Sequence, residues 1–265
     1  MITQLRTIFG RKGSQTAQAP TAPDLPRPDT PTYVVGDIHG RADLLELMLE
    51  LIDAHIGGTG GQNPHLVFVG DYIDHGPDSA TVLARLQELS QDFPENVVCL
   101  MGNHERMLLD ALSDPALRGP RWLREGGAAT LASFGIDPTA LTEGATPAFW
   151  AQTADALAQA IGPKTQEWLS ACPLSWHSGN LWAVHAGADP ARPMHDQTGR
   201  VLLWGHPEFD SMPRGDDAWV AHGHVVRDAP MVRDGRISLD TGAWTTGQLS
   251  AIAVQPGGRY AFLQT

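Results

Sequence analysis

Asp37 and His39 stand one residue apart in Gly36-Asp37-Ile38-His39-Gly40, where the apolar run Thr32 to Val35 stops at a glycine. The arrangement recurs downstream. Leu66 to Val69 runs into Gly70-Asp71-Tyr72-Ile73-Asp74, and Val97 to Met101 runs into Gly102-Asn103-His104-Glu105. Taken singly, such an Asp reads as a helix cap or turn residue and such a His as a surface or satisfied core residue. Together they form an inventory of oxygen and nitrogen donors. Mixed His and carboxylate donors suit Mn, Fe or Zn better than Ca or Mg, and a spare His beside a carboxylate suits proton transfer.

The spacing says what positions them. Asp37 to Asp71 is 34 residues and Asp71 to Asn103 is 32, about one strand–helix–strand unit each. The stretches between read as helices. Ala42 to Ala54 carries Leu44, Leu45, Leu47, Met48, Leu51 and Ile52 on a broad face, and Ser79 to Ser90 carries Val82, Leu83, Leu86 and Leu89 at helical period. Consecutive parallel strands bring their C-terminal ends to one sheet edge, where open α/β sheets place their sites. Asp37, His39, Asp71, Asp74, Asn103 and His104 are therefore expected to converge.

Glu105 to Pro173 reads as helical and irregular, with a turn at Asp114-Pro115 and a break at Gly126-Gly127. Inserted directly after a site loop, residues 105–173 are expected either to cap the pocket or to pack on the sheet's flank. From Leu174 the character turns to β. Leu174 to His177 with Leu181 to Val184, and Met231 to Arg233 with Arg236 to Asp240, read as hairpins; the second turns at Asp234-Gly235. Trp219 to Ala221, Gln248 to Gln255 and Tyr260 to Leu263 read as further strands, giving a second, mainly antiparallel sheet. The expected fold is α/β: a two-sheet β core flanked by helices, over residues 32–265. Residues 1–31, rich in Pro, Ala, Thr and Gln from Ser14 onward, read as a flexible tail and linker. Ile2, Leu5, Ile8 and Phe9 can form one face of a short helix ahead of it.

Two more strand-end histidines, His185 in His185-Ala186-Gly187 and His224 in His222-Gly223-His224, extend the donor set. Asp37, His39, Asp71, Asn103, His185 and His224 are too many for one catalytic ion with open positions. They fit a pair of ions about 3.5–4 Å apart, the arrangement that clamps attacking and leaving oxygens in phosphoester hydrolysis. Asp71 is central enough to bridge. His222 either faces the same way as His224 or is structural.

The bulk numbers fit a globular enzyme. The 265 residues carry a net charge of −12, which argues against nucleic acid or anionic membrane as the main partner. Bound cations would still permit a phosphorylated substrate. Cys99 and Cys172 lack metal spacing and suit a reducing compartment, so the expected location is cytoplasmic. No apolar run reaches a membrane span, and the N-terminus lacks a secretory apolar core.

The set Gly36-Asp37-Ile38-His39-Gly40, Gly70-Asp71-Tyr72-Ile73-Asp74-His75-Gly76, Gly102-Asn103-His104-Glu105, His185-Ala186-Gly187 and Gly223-His224 resembles the PPP-type, calcineurin-like metallophosphoesterases. The nearest likeness is to bacterial serine/threonine protein phosphatases. The resemblance runs from about Thr32 to the C-terminus. It implies a first metal on Asp37, His39 and Asp71, and a second on Asp71, Asn103, His185 and His224, most naturally two Mn2+ with Fe or Zn as alternatives. It also implies in-line attack by a bridging hydroxide, His104 as general acid, and Asp74 orienting that imidazole.

The sequence departs from the pattern where phosphate is held. The family motif has Arg after the second Asp of the Gly-Asp loop; this chain has His75. The segment Leu202 to His206 resembles the region of the second phosphate-binding Arg, and His206 stands there. Arg offers a permanent charge and a planar fork that His lacks. Either these histidines bind phosphate more weakly and with pH dependence, or Arg41, Arg106, Arg124 or Arg200 reaches in, or the substrate is not a simple phosphomonoester. Three functions follow: phosphatase of phosphoserine or phosphothreonine in proteins, symmetrical dinucleoside tetraphosphate hydrolase, or non-catalytic phosphate-binding module. Glu105 favours the first, since the tetraphosphatases more often carry Asp there.

Overall fold

The computed structural model describes residues 25–59, 63–141 and 145–265. Its first strand, β1 (Thr32–Val35), shows how the layers arise. Tyr33 and Val35 enter a cluster with helix side chains, while Val34 enters a second cluster on the opposite face. Strand β2 (His65–Phe68) repeats this: Phe68 points to the helices, Val67 away. A strand whose successive side chains are apolar on both faces must be covered on both. Helices α1 (Ala42–Thr59) and α2 (Ser79–Asp92) cover one face through Leu45, Met48, Ile52, Val82, Leu83 and Leu86. The other face meets a second sheet.

Among the described residues, the first sheet has the order β10-β9-β1-β2-β3, with β3 at Val97–Cys99, β9 at Ser250–Val254 and β10 at Tyr260–Gln264. β1, β2 and β3 are parallel, as expected. The last two strands were expected in the second sheet. They instead join the first, antiparallel to β1, with Val34 opposite Ile252. All five β9 residues are buried because the strand is internal to that sheet.

The second sheet has the order β4-β5-β6-β8-β7: β4 (Ser175–Ser178), β5 (Leu181–Val184), β6 (Trp219–His222), β7 (Met231–Arg233) and β8 (Arg236–Ser238). Its two hairpins are antiparallel as expected, but β5, β6 and β8 run parallel. The sheet is mixed, which corrects the mainly antiparallel expectation. Parallel pairing is what brings the ends of β5 and β6 to one edge. Val34, Val67, Val69, Ala183, Ala221 and Ile237 fill the space between the sheets. Val184, Val220 and Leu202 pack on the outer face, Leu202 from the short helix α8 (Gly199–Trp204).

The inserted helices are α3 (Asn103–Ser113), α4 (Pro115–Trp122), α5 (Ala128–Ser133), α6 (Pro147–Ile161) and α7 (Pro163–Ala171). Their apolar faces, including Leu108, Leu131, Trp150, Leu157 and Leu169, share the cluster beneath α1 and α2. They lie largely on the first sheet's flank, with one corner, at the α4–α5 kink, reaching the site.

The linker expectation is corrected in part. Residues 25–31 dock on the β4–β5 turn: the Arg27 amide donates to Asn180 Oδ1 at 2.6 Å, and the Asp29 carboxylate accepts from the Gly179 amide at 3.1 Å. Pro26 and Pro28 are buried there. The proposed amphipathic face of Ile2 to Phe9 lies outside the described residues. So does the centre of the loop before β2, while α1 extends through Gly57 and Gly58 to Thr59. No helix among the described residues is long and apolar enough to cross a membrane. Both cysteines are free and buried.

Candidate metal centre

Five site residues sit in left-handed backbone: His39 (φ 46°), Asp71 (52°), Asp74 (71°), His75 (62°) and His224 (63°). For residues other than glycine this costs on the order of 1–3 kcal/mol each and persists only where surroundings enforce it. Here the enforcement comes from between the strand ends. Amides of Ile38 and His39 donate to the Asp71 carbonyl at 3.0 and 2.9 Å, and the Gly40 amide donates to Tyr72 O at 2.7 Å. Glycines let the loops touch. Gly70 has φ 112°, and a Cβ there would lie 2.5 Å from the Gly102 nitrogen; at Gly223 it would lie 1.7 Å from Asp37 Oδ1.

Glu105 braces this junction. It is wholly buried, in the first turn of α3. Its Oε2 accepts from the amides of Asp71 and Gly102, both at 2.9 Å, and its Oε1 from those of Tyr72 and Ile73 at 2.8 and 3.3 Å. The residue that served above as a family discriminator thus has a mechanical task. It organises the amides of the Gly70–Ile73 loop around one carboxylate.

The six expected ligands converge. Asp37, His39 and Asp71 form one cluster with ligand atoms within 4.8 Å of one another, and Asp71, His185 and His224 form another. Asn103 meets the second through Oδ1, 2.6 Å from His185 Nε2. Asp71 belongs to both clusters: Oδ2 is 3.6 Å from His39 Nε2 and Oδ1 is 3.4 Å from His185 Nε2.

The hydrogen bonds test whether cations fit. His39 Nδ1 lies 2.7 Å from Ile73 O, and His185 Nδ1 lies 3.2 Å from Val69 O. Each carbonyl takes an N–H, which leaves the Nε2 lone pair turned inward, the orientation metal-bound imidazoles have. The inward lone pair of His185 then faces the carbonyl oxygen of Asn103, two acceptors that a cation reconciles. Asp37 Oδ2 accepts from the His224 amide at 2.9 Å, whereas its buried Oδ1 has no partner. An orphaned buried carboxylate oxygen is costly unless a cation or water takes it.

The electrostatics agree. Burial, then the charges of Asp240 and Asp71, push the Asp37 carboxyl well above its ordinary range. Burial pushes Asp71 up to about 8, against the pull of the His104 charge. Burial drives His39 and His185 well below the usual imidazole range, so both are neutral, as ligands must be. Clustered carboxylates that resist ionisation and imidazoles that resist protonation are groups whose charge balance a bound cation would reverse.

Beside the clusters lies the expected acid–base pair. His104 Nδ1 is 2.7 Å from Asp74 Oδ2, and His104 Nε2 is 3.8 Å from Asp71 Oδ2. Burial lowers the His104 pKa, but the Asp71 charge and the Asp74 hydrogen bond outweigh it and hold it at about 9. Asp74 is fixed by groups the sequence reading did not single out. Thr130 Oγ1 donates to Oδ1 at 2.6 Å, and Trp122 Nε1 donates to Oδ2 at 3.0 Å. These come from α4 and α5, either side of the kink at Glu125-Gly126, where Gly126 has φ 101°. No spacing rule links them to the strand ends. Asp240 was also missed, although it carried a usable signal: it too follows a strand and precedes Thr241-Gly242. It is buried, and its Oδ1 accepts from the Gly242 amide at 2.8 Å.

The four residues expected to hold phosphate scatter. His75 is at the site, its ring 5.0 Å from that of His39 and stacked 4.5 Å from Trp244. His206 is partly exposed, its Nε2 4.0 Å from Asp189 Oδ2. Arg41 is spent on a fork to Asp43, at 2.8 and 2.6 Å, and on the Ala243 carbonyl at 3.0 Å. Arg106 is exposed and paired with Asp110 one turn along α3 at 2.8 Å; the carboxylate draws it away from the cluster. Arg124 and Arg200 are exposed. His222 proves structural. Its Nε2 meets Ser238 Oγ at 3.0 Å, and burial lowers its pKa to about 4.

Residues 30–236 match the calcineurin-like phosphoesterase family, and the chain belongs to it. The relatives agree with the resemblance to PPP-type phosphatases. Over 95 residues the chain is 40% identical to serine/threonine-protein phosphatase 1 of Salmonella typhimurium, covering 36% of this chain and 38% of that protein. Over 78 residues it is 40% identical to the serine/threonine-protein phosphatase 6 catalytic subunit of Drosophila melanogaster, covering 29% and 23%. Over 103 residues it is 34% identical to a zinc-dependent endopolyphosphatase of Saccharomyces cerevisiae, covering 39% and 28%. The aligned stretches thus span well under half of each relative. Among solved structures, a candidate diadenosine tetraphosphatase superposes with a TM-score of 0.59 at 22% identity, covering 92% of this chain and 97% of that one. A cold-active protein-tyrosine phosphatase of a Shewanella species gives 0.55 at 16%, covering 93% and 83%. Likeness at such identity shows the fold, which is the two-sheet, helix-flanked architecture expected.

Proposed function

We propose that the chain is a dinuclear, metal-dependent phosphoester hydrolase acting on phosphoserine or phosphothreonine in proteins, in a reducing, cytoplasmic setting. One observation carries it: the donor atoms of Asp37, His39, Asp71, Asn103, His185 and His224 cluster about Asp71, with the His104–Asp74 pair beside them. Asp37, His39 and Asp71 would hold one ion, and Asp71, Asn103, His185 and His224 the other, with Mn2+ the expected pair. When bound, the ions supply a water of lowered pKa and neutralise phosphate charge. His104 holds a proton on Nε2 for the departing oxygen. Asp74 fixes the tautomer by accepting from Nδ1, and Thr130 and Trp122 fix Asp74. The α4–α5 corner, the part of residues 105–173 that reaches the site, would act as the cap. His75 would face the phosphate in place of the family's Arg; the positions of Arg41 and Arg106 do not favour them as its substitutes.

Side-by-side turnover of a phosphopeptide, diadenosine tetraphosphate and p-nitrophenyl phosphate by the manganese-loaded chain tests this, with Asp71→Asn as control. A phosphopeptide rate that leads and vanishes in the control supports the reading. A leading dinucleotide rate moves the substrate to the tetraphosphates. Silence on all three with metal bound would favour a binding module.

A further inference from the structure

His39 belongs to two clusters at once. One is Asp37, His39 and Asp71; the other is His39, His75 and His104, whose ligand atoms also lie within 4.8 Å of one another. The three rings form a nearly equilateral triangle. Centroids are 4.8 Å apart for His39 and His104, 5.0 Å for His39 and His75, and 5.3 Å for His75 and His104. Their planes are inclined by 58° to 84°, so edges rather than faces meet. His39 and His104 each commit Nδ1 to an oxygen, Ile73 O and Asp74 Oδ2, both at 2.7 Å. Both Nε2 atoms are left over, turned toward Asp71 Oδ2. An outer oxygen that orients the imidazole is the usual support of a zinc-ligating histidine. His75 is held by stacking on Trp244 and by the close approach of Gly126. Among the described residues no hydrogen bond occupies its ring.

The neighbouring clusters differ in chemistry. Asp37-His39-Asp71 offers two carboxylates, Asp71-His185-His224 offers one, and His39-His75-His104 offers none. Oxygen-rich sets suit manganese, whereas imidazole sets suit zinc, copper and nickel. Tetrahedral zinc with Zn–N bonds of about 2.0–2.1 Å needs its nitrogens roughly 3.4 Å apart. The ligand atoms of His39, His75 and His104 lie within 4.8 Å of one another, and His75 is the one whose ring no hydrogen bond holds among the described residues.

We propose that His39, His75 and His104 form an inhibitory, three-imidazole site for a soft divalent cation, Zn2+ above all, with Asp71 Oδ2 beside it at 3.6 and 3.8 Å from the His39 and His104 Nε2 atoms. The inference rests on the roles given above to His39 and His104. An ion bound there takes the Nε2 that would carry the proton and withdraws His39 from the first manganese. Filling it stops hydrolysis and releases manganese. The His at position 75 is what creates the site, since an arginine there could not ligate.

The test uses the full chain loaded with Mn2+ and titrated with Zn2+, as wild type, His75→Arg and His75→Asn. Asn accepts left-handed backbone, so one variant keeps the local conformation if the other does not. Turnover of p-nitrophenyl phosphate, bound manganese and the imidazole count from zinc X-ray absorption are read together. In wild type, zinc is expected with three imidazole ligands, manganese is released as it binds, and turnover is lost. Relative to each variant's own zinc-free rate, inhibition should need at least about tenfold more zinc. Unchanged zinc sensitivity and an unchanged zinc spectrum in both variants would overturn the inference. Failure of wild type to bind manganese would sink the parent reading, while the zinc spectrum would still decide this one.

Discussion

The proposed cation side and the proposed phosphate side of this site are built differently. On the cation side, Asp37, Asp71, Asn103 and His185 are buried, their loops are tied by backbone hydrogen bonds, and one carboxylate, Glu105, braces the junction. On the phosphate side, His75 is half-buried and held by stacking, His206 pairs loosely with Asp189, and Arg41 and Arg106 are committed to neighbouring carboxylates. Preorganisation is thus concentrated on the groups that would hold metal. The residues proposed to meet substrate are held less tightly, and His75 stands where the family pattern has Arg.

The largest effect should come from the proposed acid, His104, at the boundary. His104→Asn is expected to slow turnover by about 10²–10⁴-fold while both metals remain bound, measured by steady-state kinetics and metal analysis on one preparation. Loss of metal instead would move His104 to the cation side.

Glu105→Ala leaves the amides of Gly102, Asp71, Tyr72 and Ile73 without their acceptor. An unsatisfied buried donor costs about 1–3 kcal/mol, and partial relaxation should leave a loss of about 2–4 kcal/mol in denaturant unfolding. A neutral outcome would mean the cation side is less rigid than drawn. On the looser side, His75→Arg should lower the apparent KM for a phosphomonoester by about tenfold, the worth of one charge-assisted hydrogen bond. An unchanged KM would separate position 75 from phosphate.

The smallest effect concerns the metal-free protein. His104 is raised to about 9 and Asp71 to about 8, so above the ordinary imidazole pKa of about 6.5 the folded chain holds protons the unfolded one has lost. Stability then falls as pH rises from about 7 toward 9, by at most about 1.4 kcal/mol per pH unit for each proton. The lowered His39 and His185 contribute with the opposite sign, and only below that window. Thermal melts of the metal-free chain should decline across it, and manganese should flatten the decline. A flat metal-free profile would mean the cavity is less charged than described.

The cation side was legible in the sequence because its logic is periodic. A parallel strand ends, a glycine permits the turn, and the next donor arrives one strand–helix unit later, so Asp37, Asp71 and Asn103 announce one another. The β5–β6–β8 connections lack that regularity. They run through loops and the short α8, and their parallel pairing could not be told from hairpins. β9 read as a strand but not as the neighbour of β1, because an apolar run carries no record of its partner. Trp122 and Thr130 act through helix side chains whose meeting at Asp74 depends on the kink at Gly126. The phosphate side shows the limit of motif transfer: position 75 reaches the site, while Arg106 turns to a carboxylate one turn away on its own helix.

Six side chains are proposed to make one site for two ions. Counting manganese per chain by elemental analysis after loading and dialysis tests it directly, in wild type and Asp71→Asn. Two ions in wild type, with fewer than two in the variant and turnover abolished, is the predicted result. Fewer than two in wild type, or two retained and active in Asp71→Asn, would contradict it.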